Sequence, residues 1–220
     1  MSATRESAIR APRQQRSQRT MDRVMKALEE LLDEKPFERI TMIELAQRSR
    51  TGTSSIYARF KDKNSLVLGV HGRLAELVFP CLRKLTDPSR WKGKSLDLML
   101  SASIDAAVKF YRQHSHIVRA ALLVDQPFVY ERQRQVLQFA SDSFKALTRE
   151  MMPGGNRKAV EQAVETSVRM VSAIMHQTLI FQSGPLIRNA VSDKDLVRHL
   201  TIAVSTLVRT SATETPKARG

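Results

Sequence analysis

Apolar residues return along this chain with the period of an α-helix. Met21, Val24, Met25, Leu28, Leu31 and Leu32 fall at i, i+3, i+4, i+7, i+10 and i+11, one face of a helix that ends before Pro36. Thr41 opens a second, short helix, its hydroxyl placed to cap free backbone N–H groups and Glu44 three residues on to complete a capping box. Ile43, Leu45 and Ala46 are its apolar content. The pattern breaks at 50–52 and resumes over 53–60, where Ile56 and Phe60, four apart, share one face. Asp62 or Asn64 caps a fourth helix, whose stripe of Leu66, Val67, Val70, Leu74, Leu77 and Val78 stops near Pro80. Further helices are predicted over 96–113, 117–124, 128–151, 157–183 and 193–210, set apart by Pro88, Pro127, Pro153-Gly154-Gly155 and Gly184-Pro185. No stretch reads as a strand, so the expected fold is all-α. The last two segments carry broad apolar stripes, Val160, Val164, Val168, Val171, Ile174, Met175 and Leu179 on one, Leu196, Val197, Leu200, Ala203, Val204, Leu207 and Val208 on the other. Such helices either pack inward or present a face to a second copy of the chain.

Composition narrows the setting. With 42% hydrophobic and 26% charged residues, the 220-residue chain has enough apolar mass to bury a core. No uninterrupted apolar run approaches the roughly 18 residues of a membrane span, so a membrane-spanning protein is not expected. A single cysteine, Cys81, excludes an intramolecular disulfide and a thiolate metal cluster, which fits a cytoplasmic protein. The net charge of +14 points to polyanionic partners, nucleic acid first among them. Its distribution tempers that inference: residues 1–73 carry 15 Lys+Arg and 9 Asp+Glu, and the remainder carries the larger surplus. Residues 1–17 form a basic arm in which Arg5, Arg10, Arg13 and Arg16 face only Glu6, and Arg19 follows closely. The arm is expected to be flexible and solvated, and it also fits an organellar transit peptide. The polar stretch 211–220 is expected to be a flexible tail.

The most specific signal lies at 41–63, TMIELAQRSRTGTSSIYARFKDK. A short capped helix, a break containing glycine and a second short helix rich in hydroxyl and amide donors make a helix-turn-helix, whose first helix braces and whose second enters the major groove. Thr41, Leu45-Ala46, Ser55-Ile56-Tyr57, Phe60 and Lys63 stand in register with the amino-terminal domain of the tetracycline-repressor (TetR) family, which this stretch resembles. The resemblance covers roughly 18–78, with the helix-turn-helix at 41–60. It implies a three-helix DNA-binding domain, followed over 79–210 by a helical ligand-binding and dimerisation domain. The turn departs from the family pattern. Ser49-Arg50-Thr51-Gly52 replaces the usual Ala-Gly-Val-Ser, so an arginine stands where glycine relaxes a left-handed backbone, at a cost of about 1 kcal/mol unless Gly52 takes over the strained position. Ser54 also replaces a frequent glycine.

Carried over by position, the resemblance assigns Thr41, Ser55, Tyr57 and Lys63 to phosphates, which fix register without reading sequence. It assigns Thr53, Ser54 and Ala58 to base edges and Arg59 to either job. The basic arm would cross the backbone or enter the minor groove. It further implies a double-stranded DNA operator read by a two-fold homodimer built on the last two long helices, a small-molecule effector, and repression as the usual outcome. Met99, Phe110, Tyr111, Phe128, Phe144 and Met170, with Tyr130, Phe139 and Phe181, are candidates to line an effector cavity, because methionine and aromatic side chains adapt to varied ligands. Nothing calls for a cofactor or a metal. His114 and His116, spaced i, i+2, do not share a helical face and are expected, with His176 and His199, at the surface. Cys81 is expected as a small core or loop residue. No nucleotide-binding glycine loop or nucleophile elbow is present, so no enzyme is expected. Two rivals remain: a DNA-binding architectural or partner-controlled protein without a ligand, and a helical module that uses its basic surface for RNA or acidic proteins.

Overall fold

The computed structural model describes residues 4–124, 127–180 and 191–213, with side chains from position 15 onward except those of 123, 179 and 180. Every regular element among them is helical: α1 (Thr4–Glu34), α2 (Met42–Ser49), α3 (Thr53–Tyr57), α4 (Lys63–Leu85), α5 (Pro88–Trp91), α6 (Leu96–Leu123), α7 (Pro127–Met151), α8 (Arg157–Met175) and α9 (Asp193–Thr213). A 3-10 turn at Phe37–Arg39 joins α1 to α2, and α8 passes into a π-helical turn at His176–Ile180.

The helices enclose two apolar cores. In the first, Val24, Leu28 and Leu31 of α1 meet Leu45 of α2, Ile56 of α3 and Leu66, Val67 and Val70 of α4. The second gathers Trp91, the early part of α6 (Leu96, Met99, Leu100, Ile104 and Val108), Leu147 of α7 and the inner stripes of α8 and α9. Helix α6 serves both, because Ile117, Ala120 and Ala121 near its end lie in the first core. The backbone leaves helical geometry between the two sets, at His114 (φ −117°, ψ 16°). The two segments expected at 96–113 and 117–124 are therefore one kinked helix. Its antiparallel register with α9 is fixed at both ends by ion pairs, Asp97 with Arg209 (3.0 Å) and Arg112 with Asp193 (2.7 Å).

Other expectations need correction. Pro80 does not end α4, although proline removes an N–H and crowds the carbonyl one turn back. The helix continues to Leu85 because it still has a surface to follow: Phe79 packs edge-on against Phe139 of α7 at 5.3 Å. That continuity makes α4 long and apolar enough to cross a membrane by length and composition alone, although no uninterrupted apolar run marks it in the sequence. Its Leu66, Val67, Val70, Leu74 and Ala75 are buried in a helix that packs on α1, α6 and α7. Helix α5, capped by Asp87 with Pro88 in its first turn, was not expected. Helix α9 runs on to Thr213, past the expected boundary at 210. The basic arm is continuous with α1 from Thr4 on. The side chains of Arg5, Arg10 and Arg13, the end of the 157–183 segment with Gly184-Pro185, and most of the 211–220 tail lie outside the described residues.

Candidate nucleic-acid interface

Helix α2 is locked from its first residue. The Glu44 N–H donates to Thr41 Oγ1 (3.2 Å), while the Thr41 N–H and hydroxyl both donate to Glu44 Oε2 (2.9 Å each), the reciprocal capping box that the sequence announced. Lys35 reaches the other oxygen of the same carboxylate. Its hydrogen bond, with those from the Thr41 backbone and hydroxyl, holds the Glu44 carboxyl at about 2. On the opposite side Arg48 forks onto Glu34 (2.8 and 3.1 Å), tying α2 to α1. The brace helix is thus fixed on both flanks.

The turn resolves the question raised by Arg50. Arg50 itself is left-handed (φ 51°, ψ 45°), and Gly52 is not (φ −59°). Strain is therefore kept at the arginine rather than passed to the glycine. It is held by local hydrogen bonds: the Arg50 N–H donates to Gln47 O (3.1 Å) and the Thr51 N–H to Ala46 O (3.0 Å), which satisfies the last carbonyls of α2. The buried Thr51 hydroxyl donates to Ser49 O (3.2 Å).

Helix α3 then projects its polar side outward. Thr53, Ser54, Ser55, Tyr57 and Ala58 are exposed, while Ile56 and Phe60 point into the first core as their spacing predicts. Tyr57 keeps 53% of its surface open, too much for an ordinary core aromatic. Two expected contact residues are already engaged. The Arg59 guanidinium donates to Ser55 O (2.8 Å), and its Nε is buried without a partner. Lys63 lies over the Phe37 ring at 4.5 Å and donates to Glu38 O (3.2 Å), and burial pulls its pKa below the ordinary lysine value. An ammonium has three N–H donors, so two remain for another acceptor. Thr41 is exposed, but its hydroxyl proton is committed to Glu44. Ile43, expected as apolar filling for α2, is instead 65% exposed on the first turn of that helix. Its placement two residues before buried Leu45 is the signal that would have set it on the outer side.

The expected effector residues do not converge. Met99 is fully buried in the second core, against which Tyr111, Phe144 and Met170 also pack, but Phe110 packs against the first core and Phe128 is 44% exposed beneath Arg132. Tyr130 is exposed, Phe139 is taken up by Phe79, and Phe181 lies outside the described residues. A groove of about 310 Å³ opens between α7 and α8, lined by Gln133, Arg134 and Leu137 on one side and Glu165 and Arg169 on the other. Tyr130 lines it as well, whereas Met99, Phe110, Tyr111, Phe128, Phe144 and Met170 do not. Of the histidines expected at the surface, His199 is exposed and the other three are not. His114, His116 and His176 are half-buried, and His116 Nδ1 lies 2.8 Å from the Asp33 carboxylate of α1. Cys81 is exposed.

A braced helix, a tight turn and a second short helix that shows hydroxyls, a phenol and a small side chain to solvent, set on a helical bundle, define a DNA-binding transcription regulator of the helix-turn-helix class. Residues 24–70 match the family described as "Bacterial regulatory proteins, tetR family". Residues 24–70 are thus a tetR-family helix-turn-helix domain, the mark of a DNA-binding transcription regulator. Solved structures of low identity share the fold across most of their length. A protein described as a TetR-family transcriptional regulator from Mesorhizobium loti superposes with a TM-score of 0.68 at 17% identity, covering 89% of this chain and 98% of that one. A tetR-family transcriptional regulator from Streptomyces coelicolor gives 0.65 at 16% identity, covering 88% and 82%. GusR of Salmonella enterica gives 0.60 at 16% identity, covering 86% and 95%. No curated protein sequence matches the chain significantly.

Proposed function

We propose that the protein is a cytoplasmic, ligand-responsive repressor that binds a palindromic operator as a homodimer. The observation that carries the DNA-reading part is the outward face of α3, where Thr53, Ser54, Ser55, Tyr57 and Ala58 are exposed together above buried Ile56 and Phe60. Thr53, Ser54 and Ala58 meet base edges in the major groove. Ser55, Tyr57, the free donors of Lys63 and the first turn of α2 at Thr41 meet phosphates. Arg59 steadies α3 through Ser55 and leaves its outer nitrogens for the backbone. The basic arm adds phosphate contacts beyond this face. Residues 18–78 act as the reading head and 79–210 as the sensing and pairing domain.

The outer side of α9 supports pairing between copies. His199, Ile202, Ala203, Thr206 and Thr210 are all exposed, fall on one helical face and include no carboxylate or ammonium, which suits a surface meant to be covered. A two-fold pair would set two α3 helices into successive major grooves, and ligand binding would favour a spacing of the heads that no longer fits DNA. Selection of bound duplexes from a random pool, followed by sequencing, tests this reading. A palindrome with half-sites about one helical turn or more apart is expected, and enrichment of a lone half-site or of no motif would refute it.

A further inference from the structure

Inside the second core, three polar side chains from two helices come together without a charge among them. The Tyr111 hydroxyl of α6 lies 3.3 Å from His176 Nε2 and 3.5 Å from Ser172 Oγ, with the Tyr111 and His176 rings edge to face at 5.4 Å. Their neighbours in the cluster are apolar and compliant, among them Met170, Val171, Ile174 and Met175. Burial pulls the His176 imidazole down and pushes the Tyr111 phenol up, so all three groups are neutral near pH 7. The adjacent charged residue on α6, Arg112, is neutralised by Asp193 at 2.7 Å.

The cluster is poorly satisfied as it stands. Hydroxyl hydrogen bonds are ordinarily near 2.8 Å; the phenol can donate to His176 and accept from the Ser172 hydroxyl, but both contacts are long and therefore weak. Polar capacity left slack among apolar side chains is destabilising, so a purely structural role gives little return for it. All three residues keep partial solvent access, which a sealed structural network would not need. Two backbone irregularities flank the same spot. The π-helical turn begins at His176, and α6 breaks at His114, less than one turn beyond Tyr111. Single π-helical turns recur where a helix is shaped around a function.

We infer that Tyr111, Ser172 and His176 form the polar end of a binding site for an uncharged, mostly apolar small molecule bearing a hydroxyl or carbonyl oxygen. Such an oxygen takes up the slack donors and acceptors, and the apolar body lies among the methionine and branched side chains. A carboxylate is disfavoured, because it would lose its hydration with no cation in the cluster to replace it. The site deepens the ligand-responsive reading above, and rests on it only for the consequence at DNA: Tyr111 is on the same helix as Ile117 and Ala120 of the first core, beyond the His114 break.

The test uses the full chain with the neutral fluorescent probe N-phenyl-1-naphthylamine, displaced by decan-1-ol or by decanoate. The probe is expected to bind, and the alcohol to displace it at a concentration at least tenfold below that of the carboxylate. Tyr111→Phe and Ser172→Ala are each expected to weaken the alcohol about fivefold while the circular-dichroism melting midpoint stays within a few degrees. Failure of the probe to bind, equal displacement by the two competitors, or unchanged alcohol affinity in both variants overturns the site. Operator affinity, measured on the duplex selected above, separates the two claims. Alcohol that binds as expected without altering operator affinity leaves the site standing and refutes ligand-responsive repression. Alcohol that alters operator affinity equally in wild type and in both variants supports a sensor and refutes this location.

Discussion

Arg50→Gly should make the protein more stable, although it deletes a charged side chain from the centre of the DNA-reading motif. Arg50 is the non-glycine residue with positive φ among the described residues, at φ 51°. For an L-residue the left-handed region costs about 1–2 kcal/mol, because Cβ crowds the following carbonyl. Glycine removes that crowding but adds backbone freedom to the unfolded chain, a loss of about 0.5–1 kcal/mol on folding. The net expectation is a gain of about 0.5–1 kcal/mol, or about 1–4 °C in melting midpoint for a chain of this size. Little offsets it, because the exposed guanidinium makes no ion pair or hydrogen bond among the described residues, and the two turn hydrogen bonds come from backbone N–H groups that glycine retains. Arg50→Ala keeps Cβ and the strain, and is expected to leave the midpoint where it is. Thermal denaturation followed by circular dichroism on the three proteins, with urea midpoints as a second measure, decides the matter. A glycine variant no more stable than the alanine variant would show that the left-handed turn is not strained.

The remaining predictions concern contacts, close packing and titration. Tyr57→Phe is expected to weaken binding to all duplexes alike, by about fivefold for one lost hydrogen bond of about 1 kcal/mol, whereas Ser54→Ala shifts site preference. Competition binding against selected and scrambled duplexes separates the two, and a sequence-selective loss in Tyr57→Phe would contradict its placement at a phosphate. Ile202→Glu buries a charge if α9 is the pairing surface, so sedimentation should show monomer where the wild type is dimeric, and an unchanged dimer would move the interface elsewhere. Gly155→Ala is expected to lower stability by at least about 1–2 kcal/mol, because φ is 88° and a Cβ would stand 2.5 Å from the Ala212 carbonyl oxygen. An unchanged melting midpoint would sink that packing argument. Burial holds His71, His114, His116 and His176 below the ordinary imidazole value of 6.5. As pH falls through that value the unfolded chain takes up protons that the folded chain refuses, so stability present above it is lost. The urea midpoint should fall between pH 7.5 and 5.5, and a flat or rising midpoint would refute the shifts.

What could be read from the sequence was what one helix decides alone. The stripe from Val24 to Leu32, the Thr41–Glu44 capping box and the inward pair Ile56 and Phe60 depend on spacing and local hydrogen bonds, and all three stand as predicted. Features that need a partner helix could not be read in this way. Pro80 is a stop signal until α7 offers Phe139 beside it, and the gap at 114–116 looks like a loop until α6 has two cores to reach. Lys63 has the pattern of a solvent-exposed lysine, yet Phe37, which the sequence places before the motif, folds beneath it. Residue type alone marks effector candidates, but the face each residue occupies decides which of them meet. By type, Met99 and Tyr111 stand with Phe128, which the fold leaves at the surface, whereas Ser172 and His176 give no signal until Tyr111 lies opposite.

The positive charge takes on a different meaning once its partners are visible. Of the basic residues after Leu74, Lys109, Arg112, Arg134, Lys145, Arg149, Arg157, Arg169, Arg198 and Arg209 are all paired with carboxylates, mostly along or between helices. Exposed cations without such partners concentrate at 83–94, where Arg83, Lys84, Arg90, Lys92 and Lys94 stand with Asp87, itself used to cap α5. Some of these lie over aromatic rings rather than reaching into solvent, Arg90 and Lys94 over Trp91 and Arg83 over Phe139. This patch is at the far end of α4 from the reading head. Twenty residues of helix separate Lys63 from Arg83, about 30 Å at 1.5 Å per residue. The screening length at physiological ionic strength is about 8 Å, so little of the field of the patch reaches the groove that α3 would occupy. On the proposed reading, the attraction that matters for DNA comes from the cations close to α3, namely Arg59, Lys61 and Lys63, with the basic residues of the arm. The salt dependence of DNA binding therefore counts those residues rather than the +14 of the whole chain.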